Sequence, residues 1–308
     1  MEKINGGMSN DVFRYRDLIF KFYNYSQLEL NYSFEEFIQK KLYEKYKNVP
    51  EITQSIYVDN KLIGRIEKYI DSNPVSKSHF TASSNAHIYA NLLKSIHSID
   101  YTDFKDKIPF FFTYLDNWAK ICEVIFLNKE FVKDCDKYKI NYEYIKEKAK
   151  KYIDGLIEFI CHMKFDLCLS HNDFQQLNVL VNKSNSNEFY VIDFEYASLN
   201  YQYFDIANYF SECAFDNCSF TYDQTIYPNT ELRYNFYQEY FKDTKHNTEK
   251  AELDYIVMQF CPLVEYYWYI WSLIKYANTN CLDYLVYGKI RETNFINKLE
   301  NLKNDKIL

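Results

Sequence analysis

Four short runs rich in Val, Ile and aromatic residues lie before residue 71, and they predict β-strands at 11–17, 18–24, 52–58 and 62–70. The first two strands meet at a turn predicted at Arg16–Asp17, and residues 59–61 join the last two. Between these pairs the polar and apolar residues repeat with a helical period from about residue 35 to residue 46. Ser33 is the predicted N-cap of this helix, and Glu36 completes a capping box.

After residue 71 the apolar spacing becomes that of amphipathic helices, which are predicted near 82–99, 142–164, 230–242, 250–278 and 283–302. One β-hairpin interrupts this helical pattern, in the stretch 169–194. No internal repeat appears. The sequence therefore predicts an α+β fold of two lobes with a cleft between them. The small antiparallel sheet lobe with one helix spans 1–70, and the large, mainly helical lobe spans 71–308.

The predicted hairpin carries polar residues at the ends of apolar strands. In "LSHNDFQQLNVLV", Asn178 lies five residues after Asp173, and Asp193 ends the returning strand "FYVIDF". Buried strands tolerate such groups only when something offsets their desolvation. An amide and carboxylates that converge on one point suit Mg²⁺.

With a metal bound there, Asp173 would remain to accept a proton from an attacking hydroxyl, which is the arrangement that phosphoryl transfer requires. The spacing D-x-x-x-x-N followed by D-F also matches the catalytic loop and metal-binding Asp of protein kinases. The alternative is that these residues only cap the turns of an ordinary hairpin.

Composition and charge limit the kinds of partner that the protein is expected to bind. The 308-residue chain has a net charge of -7 and no basic block, which disfavours nucleic acid and anionic membranes. The 32 Tyr and 25 Phe indicate a codon bias rather than a function. Eight Cys without a C-x-x-C pair, no run of 18 apolar residues and no signal peptide predict a cytoplasmic protein with reduced thiols.

The blocks "HNDFQQLNVL" and "VIDFEYASLNYQYFDIANYFSE" closely resemble the choline/ethanolamine kinase family, which has a protein-kinase-like fold. The likeness runs from about Gly6 to Tyr284. It implies that residues 1–70 form a nucleotide-binding lobe and residues 71–308 a catalytic and substrate-binding lobe. It also implies one role for each matching acid or amide: Asp173 as catalytic base, Asn178, Asp193 and Glu195 at Mg²⁺, and Asp205 as a structural brace of the catalytic loop.

The resemblance places ATP against the small lobe. "GGMSN" would form the turn that covers the phosphates, and Lys21 would reach them, with Glu36 as its ion partner and Glu35 as the second choice. The nucleotide-binding residues implied in this way are Gly7, Ser9, Asn10, Lys21, Glu36, Lys68 and Ile70, the last two through their backbone near adenine. Without the resemblance, "GGMSN" would be interpreted as an ordinary hairpin turn. Lys21 and Glu36 would each be interpreted as a solvated charge. Only five residues precede the glycines, which predicts a shortened first strand or an incomplete chain.

The aromatic residues after residue 260 suggest how an acceptor is held. Trp268 and Trp271 are three residues apart and share one helical face. A quaternary ammonium cannot donate a hydrogen bond, so it needs aromatic faces and a diffuse negative charge. The alternative is an ordinary aromatic core seam. The resemblance favours a cation cage, whose substrate-binding residues would be Gln175, Tyr196, Glu212, Trp268, Trp271 and Tyr284. Asn217 replaces an aromatic of the family, which predicts a looser cage on that side.

The resemblance implies ATP- and Mg²⁺-dependent phosphorylation of choline, the first committed step towards phosphatidylcholine. Gln175 and "DFEY" lean towards choline, while Ala214 and Asn217 lean towards ethanolamine. Ethanolamine or dual activity is the first alternative, and an aminoglycoside-type kinase or an inactive quaternary-amine binder follows. The expected partners are the amino alcohol and ATP, and a homodimer is compatible with this prediction.

Overall fold

The computed structural model describes residues 1–4, 10–24, 30–107, 110–243 and 248–304. The small lobe contains one five-stranded antiparallel sheet and one helix. The sheet has the order β1-β2-β3-β5-β4. Its elements are β1 (Glu2–Lys3), β2 (Asp11–Tyr15), β3 (Leu18–Phe22), α1 (Tyr32–Tyr46), β4 (Ile52–Val58) and β5 (Lys61–Lys68).

Two-residue turns connect the strand pairs where the sequence predicts them. Arg16 has a φ of 55° between β2 and β3, and Asp59 and Asn60 have φ values of 48° and 61° between β4 and β5. Left-handed turn residues match the twist of the strands that they join. Gly64 of β5 pairs with Phe22 of β3, and a Cβ there would lie 2.5 Å from the carbonyl oxygen of Lys21. The glycine therefore lets β5 approach β3 closely, beside Lys21.

Helix α1 begins earlier than predicted, and the prediction of Ser33 as its N-cap is wrong. The side chain of Asn31 accepts a hydrogen bond from the backbone N–H of Phe34 at 3.0 Å, and Tyr32 is the first helical residue. Asn caps a helix as well as Ser does, so the earlier residue takes the role and Ser33 falls inside the first turn.

The large lobe contains nine of the helices found in the described residues and short strands between them. The helices are α2 (Lys77–Phe80), α3 (Ala86–His97), α4 (Phe111–Ile125), α5 (Lys129–Lys137), α6 (Tyr142–Met163), α7 (Gln202–Ala214), α8 (Thr230–Tyr240), α9 (Lys250–Thr279) and α10 (Asp283–Asn304). The strands are β6 (Ser72–Pro74), β7 (Leu167–Ser170), β8 (Val179–Asn182), β9 (Phe189–Val191), β10 (Ser198–Tyr201), β11 (Phe215–Asp216) and β12 (Thr221–Tyr222). The five predicted helices of this lobe correspond to α3, α6, α8, α9 and α10, whereas α2, α4, α5 and α7 were not predicted.

Two small sheets position the residues that the sequence singled out. Strands β8 and β9 form the predicted hairpin, with β6 added beside β8. Strands β7 and β10 pair antiparallel, with Ser170 opposite Ser198. Because β7 leads into residue 171 and β9 leads into residue 192, these pairings bring the two polar stretches together.

Helix α9 forms the centre of the large lobe. Every residue from Phe260 to Tyr276 is buried, as expected for a helix that is apolar on all sides. Pro262 interrupts its backbone hydrogen bonds, and the Tyr152 hydroxyl compensates by donating to the Gln259 carbonyl and accepting from the N–H of Leu263. The charged Glu265 and Lys275 lie within this buried stretch. In the residues that the structure describes, no helix combines the length and apolarity needed to cross a bilayer.

Candidate active site

The loop after β7 is held by a buried carboxylate. Asp205, in the first turn of α7, accepts hydrogen bonds from the backbone N–H groups of His171 and Asn172, both at 2.7 Å. His97 adds a contact of 2.9 Å from Nε2 to the same carboxylate. This is the geometry that the predicted bracing role of Asp205 requires.

Asn172 gives the loop a second anchor, which the sequence analysis missed. Its φ of 62° lies in the left-handed region, which costs energy in a residue other than Gly. Its side chain donates to the Tyr196 carbonyl at 2.9 Å and to Ser198 Oγ at 2.7 Å, and it accepts from Asn200 at 2.9 Å. These bonds hold the loop in the shape that exposes the next side chain, Asp173, to the site.

Asp173 is buried and lies among other acids. Its Oδ2 accepts hydrogen bonds from the amide nitrogens of Asn178 at 2.9 Å and of Gln175 at 3.5 Å. Burial, followed by repulsion from Glu212, Asp193 and Glu195, raises the pKa of Asp173 well above its usual range. A carboxylate with a raised pKa takes up a proton more readily, which suits a general base.

Asp193 connects the two lobes. It follows β9 with a φ of 68°, and its Oδ1 lies 2.7 Å from Lys21 Nζ on β3. Lys21 Nζ also contacts Glu35 Oε1 at 2.8 Å. The prediction that Glu36 pairs with Lys21 is wrong, and the second choice, Glu35, is the partner.

Glu36 faces a different direction because successive residues of a helix point about 100° apart. It accepts a hydrogen bond from the Tyr23 hydroxyl at 3.1 Å and another from Ser55, and it pairs with Lys40 at 3.3 Å. Glu36 therefore supports the packing of α1 against the sheet, one residue away from the position that reaches Lys21.

Lys21 belongs to a buried group that we call the small-lobe charge cluster, defined as Lys21, Glu35, Arg65 and Glu67. Arg65 contacts Glu35 at 2.9 Å and also pairs with Glu67. Burial alone would raise the pKa of Glu35, but Arg65 and Lys21 outweigh it and lower that pKa to about 2. For Lys21, burial alone would lower the pKa, but Asp193 and Glu35 together raise it above its usual range. The cluster therefore holds Lys21 charged at the cleft.

The other predicted nucleotide-binding residues are only partly described. Gly7 and Ser9 lie outside the described residues. Asn10 donates from Nδ2 to Glu195 Oε2 at 2.9 Å, which brings the end of the predicted glycine turn to the large lobe. Lys68 ends β5, where its N–H bonds the Glu51 carbonyl at 2.9 Å, and the Ile70 carbonyl accepts from Ser72 at 3.1 Å. Contact of Lys68 and Ile70 with adenine stays a prediction.

Asn178, Asp193 and Glu195 are the side chains that could hold a metal ion. In the described part of the chain, no group of three or more His, Cys, Asp or Glu side chains is arranged as a metal site. The donor set here is mixed, with one amide and two carboxylates, and hard oxygen donors of this kind suit Mg²⁺.

The predicted aromatic residues do form one cluster. The rings of Trp268 and Trp271 are 5.4 Å apart and nearly perpendicular, and Tyr284 lies 5.6 Å from Trp271. Tyr196 lies 5.8 Å from Trp268 and completes the group. All four side chains are buried. The helix spacing of three residues therefore placed both indoles on one side of α9, as predicted.

Hydrogen bonds satisfy both indole nitrogens. Trp268 Nε1 donates to Asn208 Oδ1, and Trp271 Nε1 donates to the Tyr196 hydroxyl, both at 2.8 Å. Lys275 lies one turn after Trp271, and its Nζ is 5.4 Å from the centroid of the Trp271 ring. Burial lowers the pKa of Lys275, while Glu195 and Asp193 act in the opposite direction. The Trp271 ring thus already faces an ammonium group next to the acids of the metal-binding set.

Glu212 belongs to a second group, the large-lobe charge cluster, defined as the buried Glu212, Arg291 and Glu265 with the half-buried Lys298. Arg291 contacts Glu212 at 2.5 Å and Glu265 at 3.1 Å, and Lys298 pairs with Glu265. Burial alone would raise the pKa of Glu265, but Lys298 and Arg291 lower it to about 2. Arg291 and Lys298 were missed from the sequence, although a lone acid such as Glu265 inside an apolar helix was a signal that a buried cation lies opposite.

Asn217 changes the expected shape of the site. The sequence predicted a looser cage at this position because an aromatic residue is replaced. Instead, Asn217 Nδ2 donates to Glu212 Oε2 at 2.7 Å and to Gln175 Oε1 at 2.5 Å. This side of the site is closed by hydrogen bonds between polar side chains.

Comparison with known proteins agrees with this geometry. A family model described as "Choline/ethanolamine kinase" matches residues 1–296. "Probable choline kinase 3" of Arabidopsis thaliana is 25% identical over 238 residues, which cover 74% of this chain and 64% of that protein. A "Probable ethanolamine kinase" of the same plant is 27% identical over 216 residues, which cover 69% of this chain and 54% of that protein. The chain thus spans 54% to 64% of the length of these two relatives.

A solved structure of choline kinase from Cryptosporidium parvum superimposes with a TM-score of 0.77 at 22% identity, covering 100% of this chain and 90% of that one. At this level of identity, the likeness establishes the fold. The predicted two-lobed, protein-kinase-like α+β fold is therefore confirmed.

Proposed function

The chain belongs to the choline/ethanolamine kinase family, and from this premise we propose that it transfers the terminal phosphoryl group of ATP to the hydroxyl of choline. The products are phosphocholine and ADP. One observation carries the proposal: hydrogen bonds run from Asp173 through Gln175 and Asn217 to Glu212, on the side of the proposed ammonium site. On the other side of the site, Asp193 contacts Lys21 at 2.7 Å. A base between a phosphate-binding half and an ammonium-binding half is what this reaction needs.

In the proposed reaction, Asp173 accepts the proton of the choline hydroxyl while that oxygen attacks the terminal phosphorus. The bond from phosphorus to the ADP oxygen breaks as the new bond forms, and Lys21 neutralises charge on the phosphate oxygens. An ammonium has three N–H donors. Glu35 and Asp193 accept two of them, which leaves a third donor for a phosphate oxygen.

Asn178, Asp193 and Glu195 would hold Mg²⁺, which neutralises phosphate charge when it is bound. Their mixed carboxylate and amide donors fit this ion. Asp205 and Asn172 keep the catalytic loop in position through the hydrogen bonds given above.

Two features favour choline as the acceptor. Trp268, Trp271 and Tyr284 offer aromatic faces of the kind that bind quaternary ammonium groups. Both oxygens of Glu212 already accept hydrogen bonds, from Arg291 and from Asn217, so this acid acts on a ligand mainly through its charge. A trimethylammonium group needs charge and aromatic faces, and it has no N–H to donate.

Ethanolamine is the second candidate. Asn217 and Ala214 resemble the ethanolamine enzymes, and the relatives of this chain carry both names. An aminoglycoside-type acceptor fits less well, because a polycation needs many acids and the site instead pairs two Trp rings. An inactive amine-binding protein would not need Asp173, Asn178 and Asp193 together.

A turnover assay tests the proposal directly. ADP release is measured with ATP and Mg²⁺ in the presence of choline, ethanolamine, an aminoglycoside or no acceptor, and again with EDTA in excess over Mg²⁺. We expect choline to give the highest kcat/KM and EDTA to abolish the reaction. Release that is independent of any amino alcohol, or fastest with the aminoglycoside, would overturn the proposal.

A further inference from the structure

A cavity of about 250 Å³ lies between α9, α10 and the segment 222–227 of the large lobe. We call it the α10 cavity, because four of its lining residues, Asn294, Asn297, Lys298 and Asn301, belong to that helix. Among the described residues that line it, none is assigned above to ATP, Mg²⁺ or choline. Sites for drug-sized ligands measure roughly 300–1,000 Å³, so this cavity suits a smaller molecule.

The wall that α10 contributes is polar. Its four residues lie at positions i, i+3, i+4 and i+7, so they share one face of the helix. On a helix that packs against the protein, such a face is usually apolar. Asn297 and Asn301 are exposed, Lys298 is half-buried and Asn294 is buried. The polar wall therefore runs from the surface into the interior.

The inner part of the cavity has hydrogen-bond donors that need an acceptor. Asn294 is 6% exposed, and its Nδ2 has no hydrogen-bond partner among the described residues. A buried donor without a partner is costly, so a ligand that accepts from it is favoured. Lys298 Nζ donates to Glu265 Oε1 and to Ser211 Oγ, the latter at 3.4 Å. The described residues thus accept two of its three N–H groups.

The charge that faces the cavity is positive. Lys298 is the single charged side chain among the described residues that line it. Its partner Glu265 is fully buried, does not line the cavity and also pairs with Arg291 at 3.1 Å. Burial raises the pKa of the lining Tyr222 and Cys261 side chains, which are therefore neutral at pH 7.

We propose that the α10 cavity is a binding site for a small oxyanion, a phosphate or a carboxylate group, which accepts hydrogen bonds from Lys298 and Asn294. An oxyanion supplies the acceptors and the negative charge that this wall lacks. The inference goes beyond the proposed function and does not depend on it. Three ion pairs, through Glu265 and Arg291, separate Lys298 from Glu212 at the proposed ammonium site.

Calorimetric titration of the full-length protein with inorganic phosphate and with acetate tests the inference, with chloride added to keep the ionic strength constant. We expect at least one anion to bind with a Kd of about 1 mM or lower. Tighter binding of phosphate would indicate a phosphorylated ligand, and tighter binding of acetate a carboxylate ligand. If neither anion binds, the inference is wrong.

Two variants locate the bound anion. Asn294→Leu keeps a similar size and removes the unpartnered donor, and Lys298→Met keeps the aliphatic part of the side chain. Each should weaken anion binding about tenfold, the effect of one hydrogen bond to a charged group. Asn294→Leu should not lower the melting temperature, and it decides the outcome alone if Lys298→Met fails to fold.

Lys303→Met is the matched control, because Lys303 is exposed on the same helix and does not line the cavity. It should leave the Kd within about twofold. Lys21→Met tests whether phosphate binds instead at the proposed ATP site. Binding that Lys21→Met abolishes, or that Asn294→Leu leaves unchanged, would overturn the inference. Because the titration contains neither ATP nor an amine, failure of the proposed kinase activity would not affect this result.

Discussion

In the small-lobe charge cluster, Lys21 is held at the cleft between Glu35 and Asp193; in the large-lobe charge cluster, Glu212 is held between Arg291 and Asn217. Both clusters alternate buried acids and bases, and each presents one charged group to the site. The signs are opposite, as the two ends of the proposed reaction require: a cation for the phosphates and an anion for the ammonium.

The clusters differ in how they are attached. Asp193 belongs to the large lobe, so the contact of Lys21 crosses between the lobes. The large-lobe charge cluster lies within one lobe, on α7, α9 and α10. The proposed phosphate-binding end is therefore built from both lobes, while the proposed ammonium-binding end is fixed by helix packing within one lobe. Asp173 lies between the two clusters, and in addition to burial both Glu212 and Asp193 raise its pKa.

The largest expected effect comes from the group between the clusters. Asp173→Asn removes the base and keeps the shape, so kcat should fall about 10²- to 10⁴-fold while the affinities for ATP and choline change little. Thermal stability should not fall, because the variant removes a buried charge that Glu212, Asp193 and Glu195 repel. Steady-state kinetics and a thermal melt measure both effects.

Asp116→Asn is the control for this variant, since Asp116 is exposed and pairs with Lys120 on the surface of α4. It should change neither kcat nor stability. If Asp173→Asn kept most of the wild-type kcat, Asp173 would not be the base.

The second prediction breaks each cluster at its buried arginine. Arg65→Met removes the cation paired with Glu67 and one of the two paired with Glu35, and Arg291→Met does the same for Glu212 and Glu265. Each should therefore reduce the free energy of unfolding by about 3–5 kcal/mol. In the protein that remains folded, Arg65→Met should raise mainly the KM for ATP, and Arg291→Met mainly the KM for choline. Urea unfolding and two-substrate kinetics measure these effects.

Arg233→Met provides the comparison for the arginine variants, because Arg233 pairs with Asp254 away from the site. It should lower stability without raising either KM selectively. Equal changes in both KM values for Arg65→Met and Arg291→Met would show that the two clusters do not serve separate substrates.

The third prediction removes the group that the small-lobe charge cluster presents. Lys21→Met keeps the aliphatic part of the side chain and loses the ammonium, so the KM for ATP should rise about tenfold, the effect of one charged hydrogen bond. The KM for choline should stay within about twofold. A similar rise in both KM values would contradict the assignment of Lys21 to the phosphates.

The smallest expected effect concerns the aromatic faces beside the large-lobe charge cluster. Trp271→Phe keeps an aromatic ring with a weaker quadrupole, so choline affinity should fall about two- to fivefold with little change in ATP affinity. The melting temperature should change by a few degrees at most, because most of the buried volume remains. If choline affinity were unchanged, Trp268 and Trp271 would be packing residues of the core with no role in binding the ammonium.

Local pattern predicted the long elements of the fold well. Helices α6 and α9 and the β8–β9 hairpin follow from spacing along the chain, because each is encoded by neighbouring residues. Helices α4 and α7 were missed, and their N-caps, Phe110 and Tyr201, make no side-chain capping bond. Almost all of α7 is buried, so it also lacks the polar face that marks an amphipathic helix.

The sequence by itself determined the two-lobed fold, the loop that carries Asp173 and the helical face shared by Trp268 and Trp271, because these depend on short-range spacing and on a recognisable motif. Only the tertiary structure decided which of Glu35 and Glu36 reaches Lys21, since a rotation of about 100° along α1 separates them. The pairing of Glu212 with Arg291 joins α7 to α10, and it could not be predicted from the sequence either. Such partners are chosen by how helices pack in space, where distance along the chain carries no information.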